Sequence, residues 1–348
     1  MPTLRTLEEL AREGLIAPDP RLAAAAEAMA IALTPEMLAL IDRNDIANDP
    51  IARQFVPSVR ETDIAPEELA DPIGDEARAP VRGIVHRYPD RVLLKPVHVC
   101  PVYCRFCFRR EKVGPGGEAL SEAELDAALA YISARPSIWE VILTGGDPLM
   151  LAPRRLAALI AALDAIPHVA TIRVHSRVPI VDPARVSDEL VTALKPRRAT
   201  LWLAVHCNHP RELTDAAREA LARCADAGLP LMGQSVLLAG INDDIDTLER
   251  LMRALVAARV KPYYLHHPDL VRGTGHFRVP LQHGQALMKA LRGRVSGLAQ
   301  PTYVLDVPGG HGKVPVGPAY LGDDPDALTV EDAFGGRHAY PPRPGDIA

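Results

Sequence analysis

From about residue 92 the sequence alternates short β-branched runs with amphipathic helical stretches, and this alternation restricts the possible folds more than any other feature. Strand patterns occupy 92–99, 140–143, 170–175, 200–206, 231–238 and 260–266. Helical patterns lie near 122–134, 153–165, 185–194, 213–227 and 245–259, and one more near 282–295 precedes a last strand at 302–305. Strands that alternate with helices predict an α/β chain with a parallel sheet and helices outside it. Six βα units predict a partial (β/α)6 barrel. No GxGxxG follows the first strand, which removes the dinucleotide-binding version of the pattern. Residues 1–80 read differently. Helical spacing occupies 7–15, 21–32 and 35–41, and the Pro- and acid-rich stretch 44–79 reads as a wrapping arm. The expected organisation is a helical and wrapping segment (1–80), a barrel (81–322) and a short tail (323–348).

A parallel barrel gathers its chemistry where strands end. Cys100, Cys104 and Cys107 follow the first strand, Thr144-Gly145-Gly146-Asp147 the second and Ser176-Arg177 the third. His206 closes the fourth strand, Gln234 lies in the fifth, Asp269 follows the sixth and Asp306 the last. The net charge of −5 argues against a nucleic-acid partner. No run approaches the roughly 20 apolar residues of a membrane span, and no basic start with an apolar run marks a signal peptide. Arg greatly outnumbers Lys, so each Lys is informative. Five cysteines, three of them within eight residues, do not form a disulfide framework and suit a reducing cytoplasm.

Cys100-Pro-Val-Tyr-Cys104-Arg-Phe-Cys107 has the spacing CxxxCxxC. Three thiolates on one loop can hold three irons of a cubane and leave the fourth open. Structural zinc wants four ligands, and four-Cys clusters close every iron. A zinc loop or incidental core cysteines are the plainer alternatives. The segment resembles the radical S-adenosylmethionine superfamily. That resemblance implies a 4Fe–4S cluster whose open iron chelates S-adenosylmethionine. Gly145-Gly146-Asp147-Pro148 is similar to the superfamily's glycine motif, where a missing side chain lets backbone approach the ligand.

Lys313 ends the glycine-rich stretch Asp306-Val-Pro-Gly-Gly-His-Gly-Lys313. The phosphate-loop motif fails, because Val314 follows the lysine. A lysine of this kind can form a Schiff base with an aldehyde, with mobile glycines letting it step aside. An ordinary solvated lysine is the plain alternative. Together, the cysteine and lysine motifs resemble the lysine 2,3-aminomutase family of radical, pyridoxal-phosphate-dependent enzymes. Further matching stretches are His86-Arg87-Tyr88-Pro89-Asp90-Arg91, Ser176-Arg177-Val178-Pro179, Asn208-His209-Pro210, Gln234-Ser235-Val236, Pro262-Tyr263-Tyr264 and Gly275-His276-Phe277-Arg278.

The resemblance implies a role for each matching residue. Lys313 carries pyridoxal phosphate, and Arg87, Tyr88 and Arg91 hold its phosphate. Arg109 pairs with the substrate carboxylate. Gly145, Gly146, Asp147, Ser176, His206 and Gln234 bind S-adenosylmethionine. Asp269 and Asp306 hold the ε-ammonium of free L-lysine. The implied reaction is an isomerisation, a radical 1,2-migration of the α-amino group that gives L-β-lysine. A reduced flavodoxin- or ferredoxin-type donor and a homo-oligomer go with it. Two alternatives stay open: an aminomutase that supplies β-lysine for elongation factor P modification or acts on another amino acid, and a non-catalytic iron–sulfur sensor. The chain departs from the longer family members at three positions. Asp244 stands where they use a zinc-binding cysteine, and no cysteine follows Cys224, so no zinc is expected. His266 replaces a tyrosine and His311 a glycine.

Overall fold

The structure is a computed structural model that describes residues 2–116, 119–322 and 328–342. One nine-stranded sheet dominates it, with β1 (Ile84–Tyr88), β2 (Arg91–Val97), β3 (Glu140–Gly145), β4 (Thr171–Ser176), β5 (Thr200–His206), β6 (Leu231–Val236), β7 (Lys261–His266), β8 (Thr302–Val307) and β9 (Gly312–Pro315) in sequential order. Pairing is parallel from β2 through β8 and antiparallel at both edges. The six expected βα units are present, followed by β8 as a seventh parallel strand. The order runs from β1 to β9, so the curled sheet is an open barrel.

The aliphatic residues on the helix-facing side of the sheet form the core. Val141, Leu143, Ile172, Val174, Leu203 and Val205 are buried on successive strands. They join one cluster with the buried faces of the outer helices, such as Leu156, Leu159 and Leu163 of α5 (Pro153–Asp164). Burial of each such side chain contributes about 1.5–3 kcal/mol. The other helices of five residues or more among the described residues are α1 (Leu7–Arg12), α2 (Arg21–Ala28), α3 (Pro35–Ala39), α4 (Glu122–Ser133), α6 (Asp188–Ala193), α7 (Asp215–Asp226), α8 (Ile245–Ala257) and α9 (Leu281–Arg292). Their starts are set by sequence. Ser121 and Glu124 form a capping box on α4, and Thr214 caps α7. Asp244 caps α8, accepting from the Thr247 N–H at 2.8 Å. The acid at the zinc-cysteine position therefore has a local role worth about 1 kcal/mol.

The edges depart from expectation. The sequence pattern marks no strand at residues 84–88, and residues 309–313 read as part of a glycine-rich loop. Both segments contribute antiparallel edge strands. Gly309, Gly310 and Gly312 take positive φ and make the β8–β9 turn, so Lys313 sits in a strand, with no mobile loop around it. The wrapping arm closes the seam between β1 and β9. Gly309 N–H donates to the Pro72 carbonyl at 3.1 Å, and Lys313 N–H donates to the Tyr88 hydroxyl at 2.7 Å. A Cβ on Gly74 would stand 2.9 Å from Gly310 Cα, so only glycine permits this approach.

The arm also grips the cysteine loop. The carboxylate of Glu61 accepts from Arg105 at 2.6 Å and from Arg110 at 2.6 Å, and all three side chains are buried. Part of the expected tail forms a hairpin of β10 (Thr329–Glu331) and β11 (Arg337–Ala339). Residues 323–327 and 343–348 of that tail lie outside the described residues. Among the described residues no helix is long and apolar enough to cross a membrane.

Candidate active site

The barrel encloses a cavity of about 570 Å³, and every site residue expected from the sequence lines it. The cavity runs along the interior and reaches well below the C-terminal rim. Arg91 opens β2 and Glu140 opens β3, yet both line the same space as the cysteine loop beyond the strands' far ends.

At the rim, the loop after β2 carries the three free thiols. Burial pushes the Cys107 thiol up to about 11, with the neighbouring Cys104 adding to it. Burial also raises Cys100 well above the usual range, and Cys104 is raised despite the Arg177 guanidinium 2.9 Å from its sulfur. Such a group of desolvated thiols is poorly suited to solvent and well suited to cationic metal. Among the described residues no three His, Cys, Asp or Glu side chains converge as ligands of one ion. A cubane makes no such demand, since each thiolate takes a different iron. Cys207 and Cys224 are buried core residues.

The β3 turn packs against this loop. A Cβ on Gly145 would stand 2.8 Å from the Val97 carbonyl oxygen, and one on Gly146 2.5 Å from that of Val99. The glycines thus bring β3 against the backbone leading into Cys100. Asp147 accepts from Ser176 Oγ at 2.8 Å, from Leu149 N–H at 3.0 Å and from Arg177 N–H at 2.7 Å. Asp147 and Ser176 therefore tie the ends of β3 and β4 together. Among the described residues His206 Nε2 and Gln234 Oε1 are buried on the cavity wall without hydrogen-bond partners. Burial, with help from the Arg177 charge, pushes His206 down to about 3, so it stays neutral.

The other end of the cavity is rich in charge. Arg109 offers its Nε and Nη2 to Asp75, each at 3.1 Å, and its Nη1 lies 3.4 Å from Thr144 Oγ1. Asp75 also faces Arg87 at 3.4 Å and Lys95 at 3.7 Å. Burial works against its carboxylate, but the charges of Arg109, Lys95 and Arg87 hold it below the usual range. Arg91 stacks over the Tyr88 ring at 3.7 Å. Lys313 is the cross-strand partner of Asp306, and its ammonium bonds that carboxylate and approaches His266 Nδ1 at 3.2 Å. Asp306, expected to face a substrate ammonium, thus holds the chain's own lysine. Asp269 stands near. Its carboxyl is pushed up to about 7, chiefly by burial and then by Asp306.

Comparison with known proteins agrees with this geometry. The radical SAM superfamily model matches residues 94–253, and the lysine-2,3-aminomutase model matches 288–346. The L-lysine 2,3-aminomutase of Fusobacterium nucleatum is 43% identical over 295 residues, covering 85% of this chain and 69% of that protein. The chain belongs to the lysine 2,3-aminomutase family. The L-lysine 2,3-aminomutase of Clostridium subterminale is equally similar, at 43% over 85% of this chain and 70% of that protein. The glutamate 2,3-aminomutase of Clostridioides difficile is 39% identical over 83% of this chain and 68% of that protein.

Family membership makes the chain a radical SAM isomerase of the aminomutase type, and that class implies a 4Fe–4S cluster and S-adenosylmethionine. The three half-buried thiols and the unpartnered His206 and Gln234 atoms fit those two groups. Sequence reasoning missed Asp75, His175 and the role of His266. His175 lines the cavity beside His206, ring centroids 5.4 Å apart, and its Nε2 is also unpartnered. Its alternation on β4 marks it as inward-facing and was the one available signal.

Proposed function

We propose that this chain moves the α-amino group of L-lysine to Cβ, giving L-β-lysine, with pyridoxal phosphate as a further cofactor. The observation that carries the reading is the meeting of Lys313, Asp306 and Asp269 on the same cavity as the three cysteine thiols. Pyridoxal phosphate fits the charged end. Arg87, Tyr88 and Arg91 would hold its phosphate, and Lys313 would bond its aldehyde carbon. When bound, S-adenosylmethionine on the cluster supplies a hydrogen-abstracting radical and pyridoxal phosphate supplies the π system through which nitrogen migrates.

The chain supplies position and charge. Asp75 fills one edge of the Arg109 guanidinium, leaving Nη1 to meet a substrate carboxylate. Asp306 loses its lysine partner once the Lys313 nitrogen is engaged elsewhere, with Arg87 still 3.8 Å away, and with Asp269 it can hold one ammonium with its three donors. A glutamate side chain would place a carboxylate against two carboxylates, which disfavours that substrate. The reading carries with it a flavodoxin- or ferredoxin-type electron donor, a cytoplasmic setting and a homo-oligomer.

The test is anaerobic incubation of the iron-reconstituted protein with S-adenosylmethionine, pyridoxal phosphate, reductant and each amino acid in turn. β-Lysine from L-lysine is expected. Product from glutamate or another amino acid, with none from lysine, overturns the substrate assignment.

A further inference from the structure

We propose that His266 is the base that takes the ammonium proton from Lys313, so that the freed nitrogen can bond an aldehyde carbon. This rests on the reading of Lys313 as the cofactor-bearing lysine.

The geometry is direct. Lys313 Nζ lies 3.2 Å from His266 Nδ1, within reach for proton transfer. Lys313 donates, so Nδ1 is the lone-pair nitrogen and the proton of the neutral ring is on Nε2. Among the described residues that buried Nε2 has no hydrogen-bond partner. Asp306 Oδ2 stands 3.7 Å from Nδ1 and faces the ring when it becomes charged. The groups around His266 are Lys313 and Asp306 from β9 and β8, the ring of Tyr264 at 5.6 Å on its own strand, and His175 and His206 across the cavity.

In the resting site His266 is neutral, pushed down to about 4 by burial and then by the Lys313 charge. The second cause disappears as the proton moves. Asp306 then stabilises the imidazolium in place of the ammonium.

The atoms balance without an outside reagent. One ammonium proton goes to Nδ1, and the nitrogen lone pair bonds the aldehyde carbon. The aldehyde oxygen leaves as water with two hydrogens, one from the nitrogen and one returned by His266. The third hydrogen stays on the nitrogen of the new carbon–nitrogen double bond.

Stopped-flow absorbance of pyridoxal phosphate uptake tests this apart from turnover. His266→Phe keeps the ring volume and removes the base. Uptake at pH 7.5 should slow by roughly 10²-fold, with the deficit shrinking toward pH 10 as hydroxide does the work. His266→Ala should be slow and regain rate when imidazole is added. A drop that is the same at every pH and ignores imidazole shows packing and overturns the proposal, as does uptake at the wild-type rate. Wild-type protein that forms no visible chromophore, or Lys313→Ala protein that forms the same one, overturns instead the assignment of Lys313.

Discussion

Substrate recognition should depend on pH through Asp269. Its carboxyl stands at about 7, against an ordinary 3.8, because burial and then the charge of Asp306 disfavour the ionised form. Asp306 stays ionised across the neutral range, since the Lys313 ammonium bonded to it offsets its own burial. An ammonium binds the Asp269 carboxylate and repels nothing from the acid form, so below pH 7 binding must displace a proton. Asp269 is about nine-tenths ionised at pH 8 and about one-tenth at pH 6, so KM for L-lysine should rise about tenfold between them, with kcat at saturation little changed. Calorimetry in two buffers of different ionisation heat should show roughly half a proton released per lysine bound at pH 7. The sign for stability follows from the same shift. A folded pKa above the unfolded one contributes stability at acid pH, and that contribution fades as pH rises from about 4 to about 7. Asp269→Asn should give a high KM that no longer varies with pH. A flat wild-type KM between pH 6 and 8, or an unchanged profile in Asp269→Asn, would refute the reasoning.

Two other substitutions probe the frame and the lysine. Glu61→Ala leaves the buried Arg105 and Arg110 guanidiniums without their shared carboxylate, which should cost about 3–5 kcal/mol by denaturant titration and lower iron incorporation; a loss under about 1 kcal/mol would contradict it. Lys313→Ala should abolish the visible pyridoxal absorbance while keeping the iron–sulfur absorbance, and a variant that keeps both would show that another residue carries the cofactor.

The parallel core was legible because its signals are local. Residues 200–206 form β5 as the pattern predicts, and α4, α5, α7 and α8 begin within two residues of their predicted starts, where Ser121, Thr214 and Asp244 sit as caps. The edge strands were not legible, because their pairing is set by distant partners. Ile84–Tyr88 contains the β-formers Ile84, Val85 and Tyr88 but is only five residues long, and Gly312–Pro315 is glycine-led and four long, so neither segment is marked as a strand without its distant partner. The sixteen expected site residues share one cavity, but their partners were hidden. Asp75 lies in a stretch that reads as a linker, and only the folded arm places it against Arg109, Arg87 and Lys95.

The open seam explains why the two halves of the chemistry can coexist. The parallel strand ends from β2 to β6 hold the thiols, the glycine turn, His206 and Gln234, the groups suited to making a radical. Most residues suited to handling an amine come from β1, β7, β8 and β9, which flank the gap, with Arg91 on β2 and Arg109 on the loop after it. A closed parallel barrel has no antiparallel edge. It could not set Lys313 beside Asp306 across a tight turn, nor bring the Tyr88 hydroxyl from the opposite edge to the Lys313 backbone. The wrapping arm then does for the seam what hydrogen-bonded strands do elsewhere, and it adds the carboxylate of Asp75 to a cluster of cations. Stability at the seam and charge balance in the cavity therefore rest on the same segment, so damage to the arm should weaken ligand binding before it unfolds the parallel core.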